Sequence, residues 1–193
     1  MTAPYIDIHT HHPRVEYPSP TMAGIHPWDA DKGLHMPDLT SCDLIGETGL
    51  DFACDVDRAA QEAIFRRHLS EAERGGKPVV IHMVKAFEET MHILREYKLQ
   101  GVVIHGFIGS KEQASRCFEK GYFLSFGHRS LRSPRTREVI ASAPISQIFC
   151  ETDDSCDILI EDIYHKVAEI RNDTLDELRQ EIEKNYIKLI NRR

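Results

Sequence analysis

Two histidines separated by one residue, His9 and His11, lie near the start of the sequence in the stretch IDIHTHH. The alternation of apolar and polar residues predicts a short β-strand, in which successive side chains point to opposite faces. Asp7, His9 and His11 would then share one face. Two neighbouring imidazoles can bind one divalent cation, because borderline metals accept imidazole nitrogen readily. Histidine pairs at this spacing also arise by chance, so the pair needs support from elsewhere in the chain.

That support comes from polar residues that end or follow other short apolar runs, namely His26, Glu47, His82, His105 and Asp153. Two of these runs, KPVVIH and GVVIH, are rich in β-branched residues and predict parallel strands buried on both faces. In a β/α barrel the carboxyl ends of the strands lie on one rim, so we expect these side chains to converge there with the N-terminal histidines. So many imidazoles and carboxylates would be electrostatically costly without a cation. The pattern therefore predicts one or two divalent metal ions.

Strand and helix patterns alternate along most of the chain, which is typical of an α/β fold with a parallel sheet. The clearest helix is predicted over 57–74, where apolar residues follow helical spacing before Gly75-Gly76. We recognise strand candidates at 6–12, 22–25, 43–47, 79–82, 102–105, 122–127 and 145–150. A closed β/α barrel usually has eight strands in about 250 residues. The 193 residues therefore predict a shortened TIM-type β/α barrel with about seven strands, as a single domain over 1–193.

The composition is that of an ordinary globular protein, with 41% hydrophobic and 28% charged residues. A formal net charge of −7 argues against a large nucleic-acid surface but leaves room for a small phosphate-binding pocket. No apolar run reaches membrane-spanning length and no secretory signal is recognisable, so we expect a cytoplasmic protein with no membrane partner. Five cysteines without CxxC spacing predict reduced thiols, with Cys150 buried in a strand.

Several motifs, taken together and in this order, resemble those of the TatD-like metal-dependent hydrolases of the amidohydrolase superfamily. They are IDIHTHH, GIHPW, IGETGLDF, QEAIFRRHL, KPVVIH, GVVIHGFIGS, GYFLSFG and ETDD. The similarity extends to the stretch around Tyr164, Leu178 and Asn185 and covers nearly the whole chain. It implies a metal-dependent hydrolase on a β/α barrel. Members of this family are often described as deoxyribonucleases that cleave phosphodiester bonds.

The resemblance also implies a set of metal ligands: His9, His11, Glu47, His82, His105 and Asp153. Glu47 matches a carboxylate that can bridge two metal ions. Asp153 would orient the attacking water and accept its proton, so both carboxylates would be catalytic. The mixed nitrogen and oxygen donors suit one or two ions of zinc, magnesium, manganese or nickel.

On the substrate side the chain departs from the family pattern. His26 matches a histidine of the substrate pocket, but Val84 replaces a common arginine, and Lys85 is a candidate phosphate contact or a solvated lysine. Asp154 and Ser155 stand where Ala-Pro is usual. The expected substrate is a phosphodiester, either a small molecule or nucleic acid. Hydrolysis of a lactone, ester or amide is the alternative, and a non-catalytic metal-binding protein is a further one.

Overall fold

The computed structural model describes residues 2–191, so the ends of the predicted 1–193 domain lie outside the described residues. The chain divides into two compact units. We call Thr21–Ile104, with residues 190–191, the central unit, and residues 2–20 with residues 105–189 the terminal unit. The single-domain organisation remains a prediction.

The central unit contains four parallel strands in the order β1-β2-β3-β4. Its elements are β1 (Met22–Ala23), a 3-10 helix (Pro27–Asp29), β2 (Leu44–Asp51), α1 (Arg58–Gly75), β3 (Val79–Val84), α2 (Phe87–Leu94) and β4 (Val102–Ile104). The Asp57 side chain accepts a hydrogen bond from the backbone N–H of Ala60 where α1 begins, and Gly76 follows its end with a left-handed φ of 58°. These caps explain why the helix forms where the sequence predicts it.

The terminal unit contains two further strands, β5 and β6, which are parallel. Its elements are α3 (Lys111–Glu119), β5 (Phe123–Phe126), α4 (His128–Arg132), α5 (Pro134–Ser142), β6 (Ile148–Cys150), α6 (Ile160–Arg171) and α7 (Leu175–Ile190). The sequence predicts N-caps at Ser110, Ser133 and Thr174, and the hydroxyls of these residues do accept backbone N–H groups where α3, α5 and α7 begin. Cys150 is fully buried, as predicted, and burial raises the pKa of its thiol well above the usual range. Within residues 2–191, no helix combines the length and apolarity needed to traverse a lipid bilayer.

The segment 6–12 does not form the regular strand expected from its sequence. It contains bends and makes one parallel bridge, between Thr10 and Asp153. Its backbone donors are divided between partners, because Asp7 N–H donates to Pro18 O while Ile8 N–H donates to Cys150 O. The Asp7 and Ile8 amides point to opposite sides, as in a strand between two neighbours, but the segment makes a single bridge, so the described residues contain six regular strands rather than seven.

Three element boundaries differ from expectation by three residues or more. The strand candidate 145–150 begins only at Ile148, because a 3-10 helix (Ile145–Gln147) precedes it. Apolar residues near helical spacing also predict a helix over 86–99, but α2 ends at Leu94, because the next amides bond to carbonyls three residues back, such as Glu96 N–H to Ile93 O. The strand expected to end at Glu47 continues to Asp51. The pairing of β2 with β3 shifts register between Ile45 and Thr48, so Glu47 lies at an irregularity inside the strand.

Glycines on either side of Glu47 permit this close pairing. A Cβ added at Gly46 would lie 2.6 Å from the carbonyl oxygen of Val80, and one at Gly49 would overlap the carbonyl of His82. Only glycine avoids these clashes while adopting the positive φ of 150° and 143° found at the two positions. The local sequence GETG thereby lets β2 approach the part of β3 that carries His82.

His68 lies in the middle of a predicted helix, away from any strand end, which predicts a structural role, and its contacts agree with that role. It is fully buried on α1, and its Nε2 accepts a hydrogen bond from Ile25 N–H at 3.0 Å. Its Nδ1 lies 2.8 Å from Ile64 O and 3.1 Å from Thr48 Oγ1. These partners require a neutral ring with the proton on Nδ1. Burial lowers the pKa of His68 below its usual 6.5.

We predict that His68 makes the folded state less stable as the pH falls below about 6.5. Below this pH the unfolded chain binds a proton at His68, which the buried ring of the folded state does not, so the free energy of unfolding decreases. His68→Gln should cost about 1–3 kcal/mol at pH 8, because buried hydrogen bonds are lost. The difference in the free energy of unfolding between His68→Gln and the parent should decrease from pH 8 to pH 5, as measured by urea unfolding at each pH.

The matched control is His92→Gln, since the His92 side chain on α2 is 64% exposed. It should change the free energy of unfolding little at any pH in the series. A His68→Gln penalty that stays constant from pH 8 to pH 5 would contradict the prediction.

Candidate metal centres

Reciprocal backbone hydrogen bonds join the N-terminal segment to the turn after β6. His11 N–H donates to Asp153 O at 2.9 Å, and Asp153 N–H donates to His9 O at 3.0 Å. Asp153 has a left-handed φ of 55°, which is uncommon for a residue other than glycine. The pairing brings together three of the predicted ligands from opposite ends of the chain.

Side-chain contacts reinforce this pairing. The Asp7 carboxylate accepts hydrogen bonds from Thr152 N–H at 3.0 Å and from Thr152 Oγ1 at 2.6 Å. Burial raises the pKa of Asp7 to about 7, although these hydrogen bonds oppose the shift. The Tyr164 hydroxyl donates to Ile6 O at 3.0 Å and accepts from Ile6 N–H at 3.1 Å. Asp7 was expected to share a face with His9, but its carboxylate binds Thr152.

His9, His105 and Asp153 form a group that we call the terminal triad. One donor atom from each lies within 4.8 Å of the others. His9 Nε2 is 3.6 Å from Asp153 Oδ1, and the nearby His11 Nε2 is 3.7 Å from the same oxygen. These separations exceed a hydrogen bond. They approach the spacing of about 3.4 Å between tetrahedral ligands that each lie about 2.1 Å from a metal.

A buried carboxylate that the sequence analysis missed lies beside the terminal triad. Glu151 is fully buried, and its Oε1 is 3.6 Å from His105 Nδ1. Ser125 Oγ donates a hydrogen bond to its other oxygen. A Cβ at Gly106 would lie 3.3 Å from Glu151 Oε1, so glycine leaves space for the carboxylate. The position of Glu151 directly after the apolar run of β6 was the signal in the sequence.

His26, Glu47 and His82 form a second group, the central cluster, with donor atoms within 4.8 Å of one another. His82 Nδ1 is 2.6 Å from Glu47 Oε1, and His26 Nε2 is 3.1 Å from the same oxygen. His26 Nδ1 accepts the backbone N–H of Trp28 at 3.1 Å. A neutral His26 therefore carries its proton on Nε2 and donates to Glu47. This leaves Glu47 and His82 as the better metal ligands and agrees with a separate role for His26.

Asp51 holds the other side of His82. Its Oδ2 accepts from His82 Nε2 at 3.2 Å and from Trp28 Nε1 at 2.7 Å, while Oδ1 accepts from Ala53 N–H at 2.8 Å. Burial alone would raise the pKa of Asp51, but these hydrogen bonds outweigh it and lower the pKa. An ionised Asp51 accepts a hydrogen bond from His82 Nε2, so Nδ1, on the Glu47 side, is the nitrogen that would bind a metal ion. Carboxylates orient metal-binding histidines in this way.

The remaining candidates lie outside the two groups. Lys85 is exposed in the turn after β3, with a left-handed φ of 51°. Arg129 donates to Asp154 Oδ2 at 2.7 Å. His128 Nδ1 lies 3.0 Å from Ser155 Oγ. Arg129 is thus an exposed charge paired with Asp154, whereas Asp153 lies against His9 and His11.

Comparison with known proteins identifies the relatives of the chain. The model of the family described as TatD-related DNase matches residues 15–191. A TATDN1 homologue from Encephalitozoon cuniculi is 30% identical over 146 residues, which are 72% of this chain and 52% of the relative. A protein named 3'-5' ssDNA/RNA exonuclease TatD, from Edwardsiella piscicida, is 30% identical over 168 residues, covering 78% of this chain and 63% of the relative.

Solved structures agree with the sequence matches. The crystal structure of YjjV, a TatD homologue from Escherichia coli, superposes with a TM-score of 0.70 and 28% identity, over 76% of this chain and 62% of that one. This likeness confirms the predicted fold class, the TIM-type α/β barrel. The chain spans about half the length of the first curated relatives that it matches, between 44% and 52%.

For the terminal unit, we predict that His9→Ala combined with His11→Ala abolishes metal retention by this group. The change removes both imidazoles that face Asp153 Oδ1, while the exposed neighbour provides a matched control, His12→Ala. Metal content after dialysis, measured by mass spectrometry, should fall only in the double variant. Circular dichroism should show that both variants fold. Parental metal content in the double variant would contradict the assignment.

For the central unit, we predict that Asp51→Asn weakens divalent-metal binding by about 10- to 100-fold. The amide keeps the size of the side chain but no longer holds the His82 proton on Nε2 as a carboxylate does. Isothermal titration with zinc or manganese measures the change, and exposed Asp55→Asn is the control. Equal affinities in the parent and Asp51→Asn would exclude the orienting role.

Proposed function

The chain belongs to the TatD-related DNase family, and from this premise we propose that it is a divalent-metal-dependent hydrolase of phosphodiester bonds. The observation that carries the proposal is the presence of two groups of buried or largely buried histidine and carboxylate donors, the terminal triad and the central cluster. Each group is formed within one unit of the chain. Mixed imidazole and carboxylate donors fit zinc, magnesium, manganese or nickel.

In the terminal unit we assign His9, His11, His105 and Asp153 to metal binding. Their separations support this, since Asp153 Oδ1 stands 3.6 Å from His9 Nε2 and 3.7 Å from His11 Nε2. Glu151 beside His105 fits the arrangement in which a second carboxylate supports a ligating imidazole. In the central unit we assign Glu47 and His82, because His82 Nδ1 and Glu47 Oε1 face each other.

When bound, a divalent ion lowers the pKa of a water molecule towards neutrality and polarises the phosphoryl oxygen. The chain supplies the base. Asp153 presents Oδ1 to the two histidines, and its carboxylate is the group that would orient the attacking water and accept its proton. The Asp153 side chain is 22% exposed, which leaves it accessible to water. Glu47 and His82 would hold the ion, and Glu47 accepts a hydrogen bond from His26 Nε2.

A phosphodiester of nucleic acid or of a small molecule is the substrate that we propose. The family match and the relative named as an ssDNA/RNA exonuclease support a nucleic-acid phosphodiester. His26 and the exposed Lys85 are the proposed contacts to its anionic group.

A second candidate is hydrolysis of a lactone, ester or amide. Three features favour it: the net charge of −7, the replacement of a family arginine by Val84, and the engagement of Arg129 by Asp154. Each reduces the positive charge that is available to a phosphate. Hydrolysis of p-nitrophenyl acetate but not of bis(p-nitrophenyl) phosphate by the metal-loaded protein would favour this candidate. Hydrolysis of neither substrate with any of the four metals would contradict both.

We predict that Asp153→Asn lowers kcat by about 10²- to 10⁴-fold while the bound metal largely remains. The amide can still coordinate through oxygen but cannot accept the water proton, and the loss falls mainly on kcat rather than KM. Steady-state kinetics on bis(p-nitrophenyl) phosphate, with metal content measured on the same samples, tests this.

The neighbouring Asp154→Asn is the control, because Asp154 pairs with Arg129 and should affect turnover only mildly. A parental kcat in Asp153→Asn at full metal occupancy would remove Asp153 from the mechanism.

A further inference from the structure

Trp28 is a large exposed aromatic residue that neither ligand assignment uses. It is 55% exposed, although it lies beside the central cluster. Its ring centroid is 4.7 Å from that of His26 and 6.1 Å from that of His82. Exposed tryptophan at a candidate active site suggests a surface that contacts the substrate, because aromatic faces are costly to leave in water.

The indole ring is held in a fixed orientation. Trp28 lies in the 3-10 helix Pro27–Asp29, and its backbone N–H donates to His26 Nδ1 at 3.1 Å. Its ring Nε1–H donates to Asp51 Oδ2 at 2.7 Å. These two hydrogen bonds, one from the backbone and one from the ring, restrict the Trp28 side chain, so less conformational entropy is lost when a partner binds.

The charges near Trp28 favour base stacking over ion pairing with phosphates. Lys32, which is close in sequence, forms an ion pair with Asp29, and the chain as a whole carries a net charge of −7. Few cations are therefore available in this part of the chain to bind phosphates. Stacking of a base on an aromatic ring needs no positive charge and tolerates any base sequence.

We infer that Trp28 is a stacking platform for a nucleobase of a single-stranded nucleic-acid substrate. The inference rests on the proposed function, since it places the base of a nucleotide on the indole while its phosphodiester lies beside Glu47 and His82. Single-stranded chains fit because their bases are free to stack on protein side chains. Trp28 would then select substrates that carry bases over other phosphodiesters.

The first experiment uses the fluorescence of Trp28, which is the only tryptophan in the sequence. The metal-loaded protein is titrated with a short phosphorothioate oligothymidylate and with an abasic oligomer that carries the same number of phosphorothioates. Stacking should quench the emission with the base-bearing oligomer and leave it nearly unchanged with the abasic one. Equal quenching by both oligomers, or none by either, would overturn the inference.

The second experiment compares variants by fluorescence anisotropy of the labelled oligothymidylate. Trp28→Leu removes the aromatic face and should weaken binding about 5- to 150-fold, whereas Trp28→Phe keeps a face and should recover most of the affinity. Leu34→Ala, which changes another exposed apolar residue of the same unit, is the control. Parental affinity in Trp28→Leu would overturn the inference. So would a Trp28→Phe variant that binds as weakly as Trp28→Leu while its metal affinity is unchanged.

Kinetics separates this inference from the proposed function. If the parent hydrolyses bis(p-nitrophenyl) phosphate but binds abasic and base-bearing oligomers equally, the stacking inference is wrong and the proposed hydrolase activity is retained. If base-dependent quenching occurs but no phosphodiester is hydrolysed, the hydrolase is wrong and the stacking surface remains. In Trp28→Leu, KM for an oligothymidylate with natural phosphodiester linkages should rise, relative to any change in KM for an abasic oligomer with the same linkages, by the same factor as the loss in binding; an equal change for both oligomers would overturn the inference.

Discussion

The pairing of the N-terminal segment with the turn after β6 is the constraint on which the terminal unit depends. Residues more than 140 positions apart in sequence exchange backbone hydrogen bonds, and Thr152 binds the buried Asp7 carboxylate. The Tyr164 hydroxyl satisfies both the N–H and the carbonyl of Ile6. These bonds hold His9 and His11 near Asp153. The pairing therefore creates the terminal triad as well as stabilising the fold.

The central unit reaches a similar result by strand register. β2 approaches β3 closely because glycine occupies two positions where a Cβ would meet the backbone of the neighbouring strand. The irregularity in β2 directs Glu47 towards His82. Hydrogen bonds then determine which ring nitrogens face the candidate metal position. Asp51 accepts from Nε2 of His82, and Nδ1 of His26 accepts the backbone N–H of Trp28. A similar arrangement in the terminal unit places Glu151 beside His105.

The acidic character of the chain limits how it could bind the phosphodiester substrate that we propose. A protein with a net charge of −7 cannot hold a polyanion chiefly by surface lysines and arginines, and the Arg129 side chain is already paired with Asp154. For the nucleic-acid substrate that we propose, binding energy would then come from the candidate metal centres and from apolar contacts. The fixed and exposed indole of Trp28 is a source of such contacts, which is why the proposed hydrolase activity and the proposed stacking surface support each other.

The sequence alone determined the α/β class, the helix caps and the candidate ligands, because periodicity, capping residues and polar ends of apolar runs are local signals. It could not determine that 6–12 lacks a regular ladder, that β2 runs on to Asp51, or that Asp51 and Glu151 lie against His82 and His105. Register, hydrogen-bond partners and imidazole tautomers depend on residues that are distant in sequence. Only the tertiary structure decided which ring nitrogen faces a carboxylate, because that choice is made by whichever donor or acceptor occupies the other nitrogen.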